Sequence, residues 1–241
     1  MPASTAPRVI GGSFTSSTPP AICRVVSNGM TGLDSKQGTM PTIVTEAPFR
    51  QSSPEPPRKL WTRAECAAFE ATGLWDQQKL ELIEGELIDK MAKKRPHTNA
   101  HTFTFGWLIE VFDVAFVNQE TPIDVAPEDN PTSEPQPDAI ALKRPSWEID
   151  RDNPQPGDIA LVLEVSDSSL AFDLTTKAAL YARAGIPEYW VLDVAGRRLI
   201  VHRQPANGKY GSVVAYDNIE SVAPLAAQHS EFKVAEAFRR A

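Results

Sequence analysis

Two acidic residues stand where apolar segments of this chain begin and end. Asp138 opens the apolar segment 138–142, and Glu164 lies near the end of the apolar segment 159–165. If these segments are neighbouring strands, both carboxylates can point into one cleft, where their mutual repulsion makes ionisation costly. A divalent cation relieves that repulsion. Mg²⁺, for which Mn²⁺ is a substitute, is usually held by one or two carboxylates plus a phosphate. The pair therefore predicts a magnesium site.

Lys177 could complete that site, because it follows Asp173 by one helical turn in the segment after Glu164. Its positive charge could orient or help to deprotonate a water molecule, or neutralise a phosphate. Carboxylates, a metal ion and a lysine together suit phosphodiester hydrolysis, in which the metal activates water and stabilises charge on the phosphate. The alternative is that Asp173 and Lys177 form an ordinary ion pair on a helix surface.

The elements around Glu164 predict how these groups are positioned. Segment 159–165 is almost continuously apolar, which is typical of a strand buried on both faces of a largely parallel sheet. The amphipathic segment 173–184 predicts a helix that stops at Gly185, and the apolar segment 188–194 predicts the next strand. Such a strand–helix–strand unit places both strands in one sheet, and ligands bind at the strand ends of open α/β sheets.

Other segments complete an α/β domain. They are a capped helix over 63–71, a hairpin over 79–91 that turns at Glu84-Gly85, a helix over 98–117, short strands over 121–125 and 138–142, an antiparallel pair over 197–203 and 210–216, and a last amphipathic segment over 232–238. From residue 98 to residue 194 the predicted order is helix, strand, strand, strand, helix, strand.

Composition excludes some classes of protein. A net charge of −7 argues against a constitutive, sequence-blind nucleic-acid coat, which is usually basic. Cys23 and Cys66 make neither a metal-ligand spacing nor a disulfide framework, so a reducing, cytoplasmic location is expected. We find no signal peptide and no apolar segment long enough to span a membrane. Residues 1–57 are rich in Ser, Thr, Pro and Gly, and they predict a disordered N-terminal tail.

Several stretches resemble the Uma-two family of putative restriction endonucleases, in the PD-(D/E)xK nuclease superfamily. They are LELIEGELIDKM with His97 after it, QPDAIAL, LVLEVSDSS, FDLTTKAALYARAGIPEYWVLD and the hairpin that ends in GKY, and together they span about residues 60–240. The resemblance implies a restriction-endonuclease-like core over residues 58–241, with element order αβββαβ, a mixed sheet flanked by helices and an N-terminal hairpin. It also implies an Mg²⁺-dependent DNA endonuclease.

The resemblance carries roles to individual residues. Asp138 matches the PD aspartate and Glu164 the acidic residue of the second motif, both as catalytic metal ligands. The superfamily's lysine would fall at Ser166, where it is absent, so the resemblance implies that Lys177 reaches back from the helix to take that role. Where the family usually has Ser-Pro-Ser-Thr, this chain has SDSS over 166–169. The loop therefore lacks the family's proline, and Asp167 adds a negative charge beside the site.

Three further residues are implied as helpers. Glu81 matches an acidic position of the family hairpin and would complete the metal site, although a solvated hairpin face explains Glu81 equally simply. Asp173 would be the ion-pair partner of Lys177 or an extra polar group. His97 would contact substrate, because it lies where the hairpin leads into the helix. The basic run at 93–95 is either a solvated loop or a contact to the phosphate backbone.

Two functions of different classes remain open on the sequence. The first is an Mg²⁺-dependent DNA endonuclease, and the second is a catalytically inactive member of the fold that binds nucleic acid or dimerises. A weaker third is another phosphodiester or nucleotide substrate at the same site. A homodimer is the assembly we would expect of a double-strand endonuclease, because two opposite nicks need two sites, but the sequence itself contains no signal for it.

Overall fold

Helix α1 (Arg63–Glu70) opens the part of the chain that a computed structural model describes, which comprises residues 57–73, 80–90 and 93–239. The predicted capping box is present at its start. The Thr62 hydroxyl accepts a hydrogen bond from the Glu65 N–H, and the Glu65 carboxylate accepts one from the Thr62 N–H. Two donors that a helix start normally leaves unpaired are thereby satisfied. The helix ends one residue earlier than predicted.

The predicted hairpin is formed by β1 (Leu80–Ile83) and β2 (Glu86–Asp89). Glu84 and Gly85 both have positive φ angles, 51° and 81°. Two consecutive positive φ angles are typical of a type I′ turn, whose twist matches that of the two hairpin strands. The Gly85 N–H donates to the carbonyl of Thr132 at 2.7 Å, so the hairpin turn is tied to the 3₁₀ turn over Asn130–Thr132.

The central sheet has six strands. They are β3 (Val117–Gln119), β4 (Ala139–Leu142), β5 (Ile159–Ser166), β6 (Glu188–Asp193), β7 (Arg198–Ala206) and β8 (Lys209–Asp217). Their order in the sheet is the same as their order in the chain. Strands β5 and β6 are parallel, and every other neighbouring pair is antiparallel. Strand β5 is buried along its whole length, as its apolar run predicts.

Helices cover both faces of this sheet. They are α2 (Arg95–Phe112), α3 (Leu170–Phe172) and α4 (Ala178–Arg183), and a π-helical turn over Asp173–Lys177 joins the last two. Leu108 of α2 packs in one core with Leu163 of β5, whereas Leu180 of α4 packs in a second core with Val162. Alternate side chains of β5 thus enter opposite cores. The order αβββαβ, with a mixed sheet flanked by helices, confirms the predicted fold class.

The region after α2 differs from the prediction. Helix α2 begins at Arg95 and ends at Phe112, because Asp113 has a φ of +72° and its carboxylate accepts a hydrogen bond from the Ala115 N–H. A short polar side chain that bonds to its own backbone competes with helix continuation. Apolar residues continue to Val117 at helical spacing, so the pattern contains no stop signal. The predicted strand over 121–125 is wrong, because the chain enters the sheet earlier, as β3.

The helical segment after β5 also begins earlier than predicted, at Leu170 rather than Asp173. It ends at Arg183, one residue earlier than predicted, and Gly185, the predicted stop, has a φ of +72°. At the C-terminal end, the predicted amphipathic segment consists of strand β10 (Phe232–Lys233) and a 3₁₀ turn over Val234–Phe238. Strand β10 pairs with β9 (Ser221–Val222).

Within the described residues, no helix is both long and apolar enough to cross a membrane. The predicted disordered tail lies outside them, apart from Pro57.

Candidate functional site

The strand register places Asp138 opposite Glu164. Strands β4 and β5 pair Ala139 with Leu163 in antiparallel register. Asp138 immediately precedes Ala139, and Glu164 immediately follows Leu163, so the two lie side by side where this register continues. Residues opposite one another in an antiparallel pair lie on the same face of a sheet. Both side chains line one cavity of about 280 Å³. The two carboxylates that the sequence singled out are therefore brought together.

Lys177 joins Glu164 to the hairpin. Its Nζ donates to Glu164 Oε1 at 2.8 Å and lies 2.9 Å from Glu81 Oε1, and all three side chains are only 5–6% exposed. Burial alone would lower the pKa of Lys177, but Glu164 and Glu81 outweigh it and hold this pKa above its ordinary value. These two neighbours therefore favour the charged form of Lys177.

Glu164 is held through one of its two oxygens. Oε1 accepts hydrogen bonds from Lys177 and from the Tyr181 hydroxyl, the latter at 3.0 Å. Within the described part of the chain, Oε2 has no hydrogen-bond partner and is available to a ligand in the cavity. Burial raises the pKa of Glu164 to about 8, although the Lys177 ammonium acts in the opposite direction.

Asp138 is held from three sides. The Val165 N–H donates to its Oδ2 and the Lys93 ammonium to its Oδ1, both at 2.8 Å, while His97 Nε2 lies 3.6 Å from Oδ2. Burial alone would raise the pKa of Asp138, but the His97 ring and the Lys93 charge outweigh it, so the pKa lies well below its usual range. Asp138 is therefore ionised at neutral pH.

His97 lies beside Asp138 but is incompletely bonded. Its Nδ1 is buried and has no hydrogen-bond partner in the described residues. A buried N–H without a partner is costly, which favours the tautomer that carries the proton on Nε2, facing Asp138. One turn along α2, His101 Nε2 lies 3.0 Å from the Asp138 carbonyl oxygen. Both histidines thus contact Asp138, His97 at its carboxylate and His101 at its backbone carbonyl.

Asp173 is an extra polar group of the cavity wall rather than an ion-pair partner of Lys177. Its Oδ2 accepts hydrogen bonds from the hydroxyls of Ser166 and Ser169, the second at 2.6 Å. Lys177 forms its ion pairs with Glu81 and Glu164 instead. Asp173 therefore ties the two ends of the serine loop together, where the family usually has a proline. Burial raises the pKa of Asp173, and the Lys177 charge and then the two serine hydroxyls oppose that shift.

All six predicted site residues line the same cavity: Glu81, His97, Asp138, Glu164, Asp173 and Lys177. Sequence reasoning missed Tyr181, whose spacing of four residues from Lys177 was the available signal. It also missed Glu120, which pairs with Lys93 and donates its N–H to the Asp138 carbonyl at 3.3 Å. The misplaced strand over 121–125 hid that register.

The donor set fits a magnesium ion only in part. Within the described residues, no group of three or more His, Cys, Asp or Glu side chains has an arrangement that could hold a metal ion. Glu81, the predicted third ligand, is ion-paired with Lys177. Asp138 and Glu164 Oε2 remain as hard oxygen donors at one cavity, and Mg²⁺ commonly takes only one or two carboxylates, with waters and substrate phosphate completing its shell.

Two of three comparisons with known proteins agree with this architecture. The third, a comparison with curated proteins, finds no match. A solved structure from Anabaena variabilis, described as a putative nuclease belonging to DUF820, matches with a TM-score of 0.52 at 16% sequence identity, and the match covers 70% of this chain and 96% of that one. At that identity the likeness shows the fold alone. The Uma2 family model, described as "Putative restriction endonuclease", matches residues 68–235, which is more than half of the chain. This chain belongs to the Uma2 family.

Proposed function

We propose that the protein is a divalent-metal-dependent nuclease that hydrolyses phosphodiester bonds of DNA. The observation that carries this proposal is that Asp138 and Glu164, which lie next to the paired residues Ala139 and Leu163, line one cavity, with the Lys177 ammonium bonded to Glu164. Family membership supports nuclease chemistry in general. Dependence on a metal and the choice of DNA are the further steps of the proposal.

Each of the three residues has a distinct task in this proposal. Asp138 and Glu164 Oε2 would hold the ion. When bound, the ion would polarise the substrate phosphate and activate a water molecule. Asp138 is ready for this task, because it is ionised and the Val165 N–H fixes its orientation. Lys177 supplies a positive charge that its two carboxylate neighbours hold in place, and that charge stabilises the developing negative charge on the phosphate.

Glu81 and Asp173 act as positioning residues. Glu81 holds Lys177 from the hairpin side, and the Gln136 N–H fixes its other oxygen at 3.2 Å. Asp173 closes the serine loop. Neither residue needs to touch the substrate for the site to work.

The test is cleavage of plasmid DNA and of RNA with Mg²⁺ or Mn²⁺. We expect Asp138→Asn and Glu164→Gln to lower the cleavage rate by at least about a hundredfold, because each replaces a carboxylate that would hold the ion. Glu81→Gln should lower the rate but leave Mn²⁺ affinity within about twofold of wild type, because Glu81 binds Lys177 rather than the ion. Glu110→Gln, an exposed change on α2, is the matched control and should cleave like wild type.

Two outcomes would reject the proposal. If wild-type protein cleaves neither DNA nor RNA with either metal, the inactive nucleic-acid-binding or dimerising module is the better description. If Glu164→Gln cleaves as fast as Glu110→Gln, catalysis occurs elsewhere and the site is misassigned.

A further inference from the structure

A second lysine, Lys93, is bonded between two carboxylates at the edge of the cavity. Its Nζ donates to Asp138 Oδ1 at 2.8 Å and also to Glu120 Oε1. These carboxylates belong to adjacent chain segments, since the Glu120 N–H bonds the Asp138 carbonyl in continuation of the β3–β4 register. A cationic group therefore contacts an oxygen that the proposed function assigns to the metal ion.

Lys177 and Lys93 differ in exposure. The Lys177 side chain is 5% exposed, and so large a loss of solvation makes its separation from Glu164 costly. The Lys93 side chain is 34% exposed, and its partner Glu120 is 53% exposed. Ion pairs in such surroundings contribute little to stability, because water solvates the separated charges well. Lys93 can thus leave Glu120 at small cost. The Asp138 side chain is only 11% exposed, so Lys93 can leave Asp138 at small cost only when another cation takes its place, whereas both carboxylate partners of Lys177 are buried.

Asp138 does not need Lys93 to keep its orientation. The Val165 N–H, which is part of the buried strand β5, donates to Oδ2. The hydrogen bond on Oδ1 comes from Lys93. Departure of Lys93 would therefore free Oδ1 for another cation without turning the carboxylate.

We propose that Lys93 is an exchangeable counter-ion of the metal site. It neutralises Asp138 when no divalent cation is bound, and it gives up Asp138 Oδ1 when the cation arrives. The released ammonium stays at the cavity wall, where it is positioned to contact a substrate phosphate. This inference rests on the proposed metal-dependent nuclease function, and it adds a residue that competes with the ion before the substrate binds.

The experiment measures the dissociation constant of Mn²⁺ by electron paramagnetic resonance on the full-length protein. Lys93→Gln removes the competing charge, so we expect it to bind Mn²⁺ roughly fivefold to tenfold more tightly than wild type. Lys93→Arg keeps the charge and should bind like wild type. The matched control is Lys94→Gln. Lys94 also lines the cavity, but it forms no ion pair within the described residues, so its loss should change affinity by less than about twofold.

The outcomes separate this inference from the proposed function. Tighter binding by Lys93→Gln alone, with an unchanged urea unfolding midpoint, supports the exchange. If wild type binds Mn²⁺ and Lys93→Gln binds no more tightly than Lys94→Gln, the exchange is wrong and the proposed metal site stands. If Lys93→Gln binds more weakly than wild type, Lys93 organises the site rather than competing for it, and the exchange is again wrong. If no form of the protein binds Mn²⁺, both proposals fail together.

Discussion

At the scale of single residues, the way a buried carboxylate is bonded separates a structural role from a functional one. Glu188 is fully buried, and both of its oxygens are occupied: Oε1 accepts from Arg203 and Trp190, and Oε2 accepts from the Leu225 N–H at 2.7 Å. Such saturation is what burial of a charge requires. Glu164 is almost as buried, yet only its Oε1 has partners within the described residues. This difference favours Glu164 over Glu188 as a ligand-binding residue.

A buried histidine away from the cavity makes the fold sensitive to acid. His202 lies on β7, packs against the rings of Tyr189 and Tyr210, and is 3% exposed. Burial lowers its pKa to about 4 from an ordinary value of 6.5. Between those values the unfolded chain binds a proton that the folded protein excludes, so stability is lost as the pH falls through that window. The loss from His202 between pH 7 and pH 5 should be about 2 kcal/mol.

Urea unfolding at several pH values checks this expectation. His202→Phe keeps an aromatic ring but cannot be protonated, so its free energy of unfolding should fall by about 2 kcal/mol less than that of wild type between pH 7 and pH 5. All other titrating groups are shared by the two proteins and cancel in the comparison. Equal losses in both proteins would show that His202 is protonated in the folded state without cost.

At the scale of elements, one irregular turn explains why a predicted contact is absent. In an α-helix, residues four apart are neighbours, which is why Asp173 and Lys177 were expected to pair. The structure has a π-helical turn over Asp173–Lys177. A π-helical turn bonds backbone groups five residues apart, here the Ala178 N–H and the Asp173 carbonyl, so the regular α-helix on which that expectation was based is absent. Asp173 therefore bonds to Ser166 and Ser169, and Lys177 bonds to Glu81 and Glu164.

The hairpin that carries Glu81 depends on Gly85. This residue has a φ of +81°, and a Cβ added to it would lie 2.8 Å from Leu60 Cβ. Gly85→Ala should therefore lower the free energy of unfolding by about 1–2 kcal/mol. Gly106→Ala is the matched control, because Gly106 lies inside helix α2 with open space around a Cβ, and it should raise stability by about 1 kcal/mol.

Urea unfolding of both glycine variants gives the comparison. Opposite signs of the two changes would agree with these backbone arguments. A neutral effect of Gly85→Ala would mean that the hairpin turn relaxes without strain and does not fix the position of Glu81.

At the scale of the whole molecule, the sequence predicted regular elements better than their exceptions. The buried strands around Glu164, the hairpin turn and the stop at Gly185 follow from apolar runs and glycine positions, which are local signals. The end of α2 depends on a hydrogen bond between the Asp113 side chain and the nearby backbone, and the ion pairs of Lys93 depend on contacts between distant segments. Periodicity contains no information about such contacts. The six candidate residues could be collected because the family resemblance supplied long-range pairings that the pattern lacked.

The assembly of the active protein can be inferred from how it cuts a plasmid. Under the proposed nuclease function, the one candidate site among the described residues would break one strand at a time, and a net charge of −7 disfavours lingering on DNA for a second cut. If the working unit is the homodimer expected from this argument, two sites cut both strands in one encounter. We therefore expect linear DNA to form without prior accumulation of nicked circles, and the fraction of linear product to rise with protein concentration. Quantifying both products on gels over a dilution series, with Glu164→Gln as the inactive control, tests this. Nicked circles that dominate at every concentration would mean that the chain acts as a monomer.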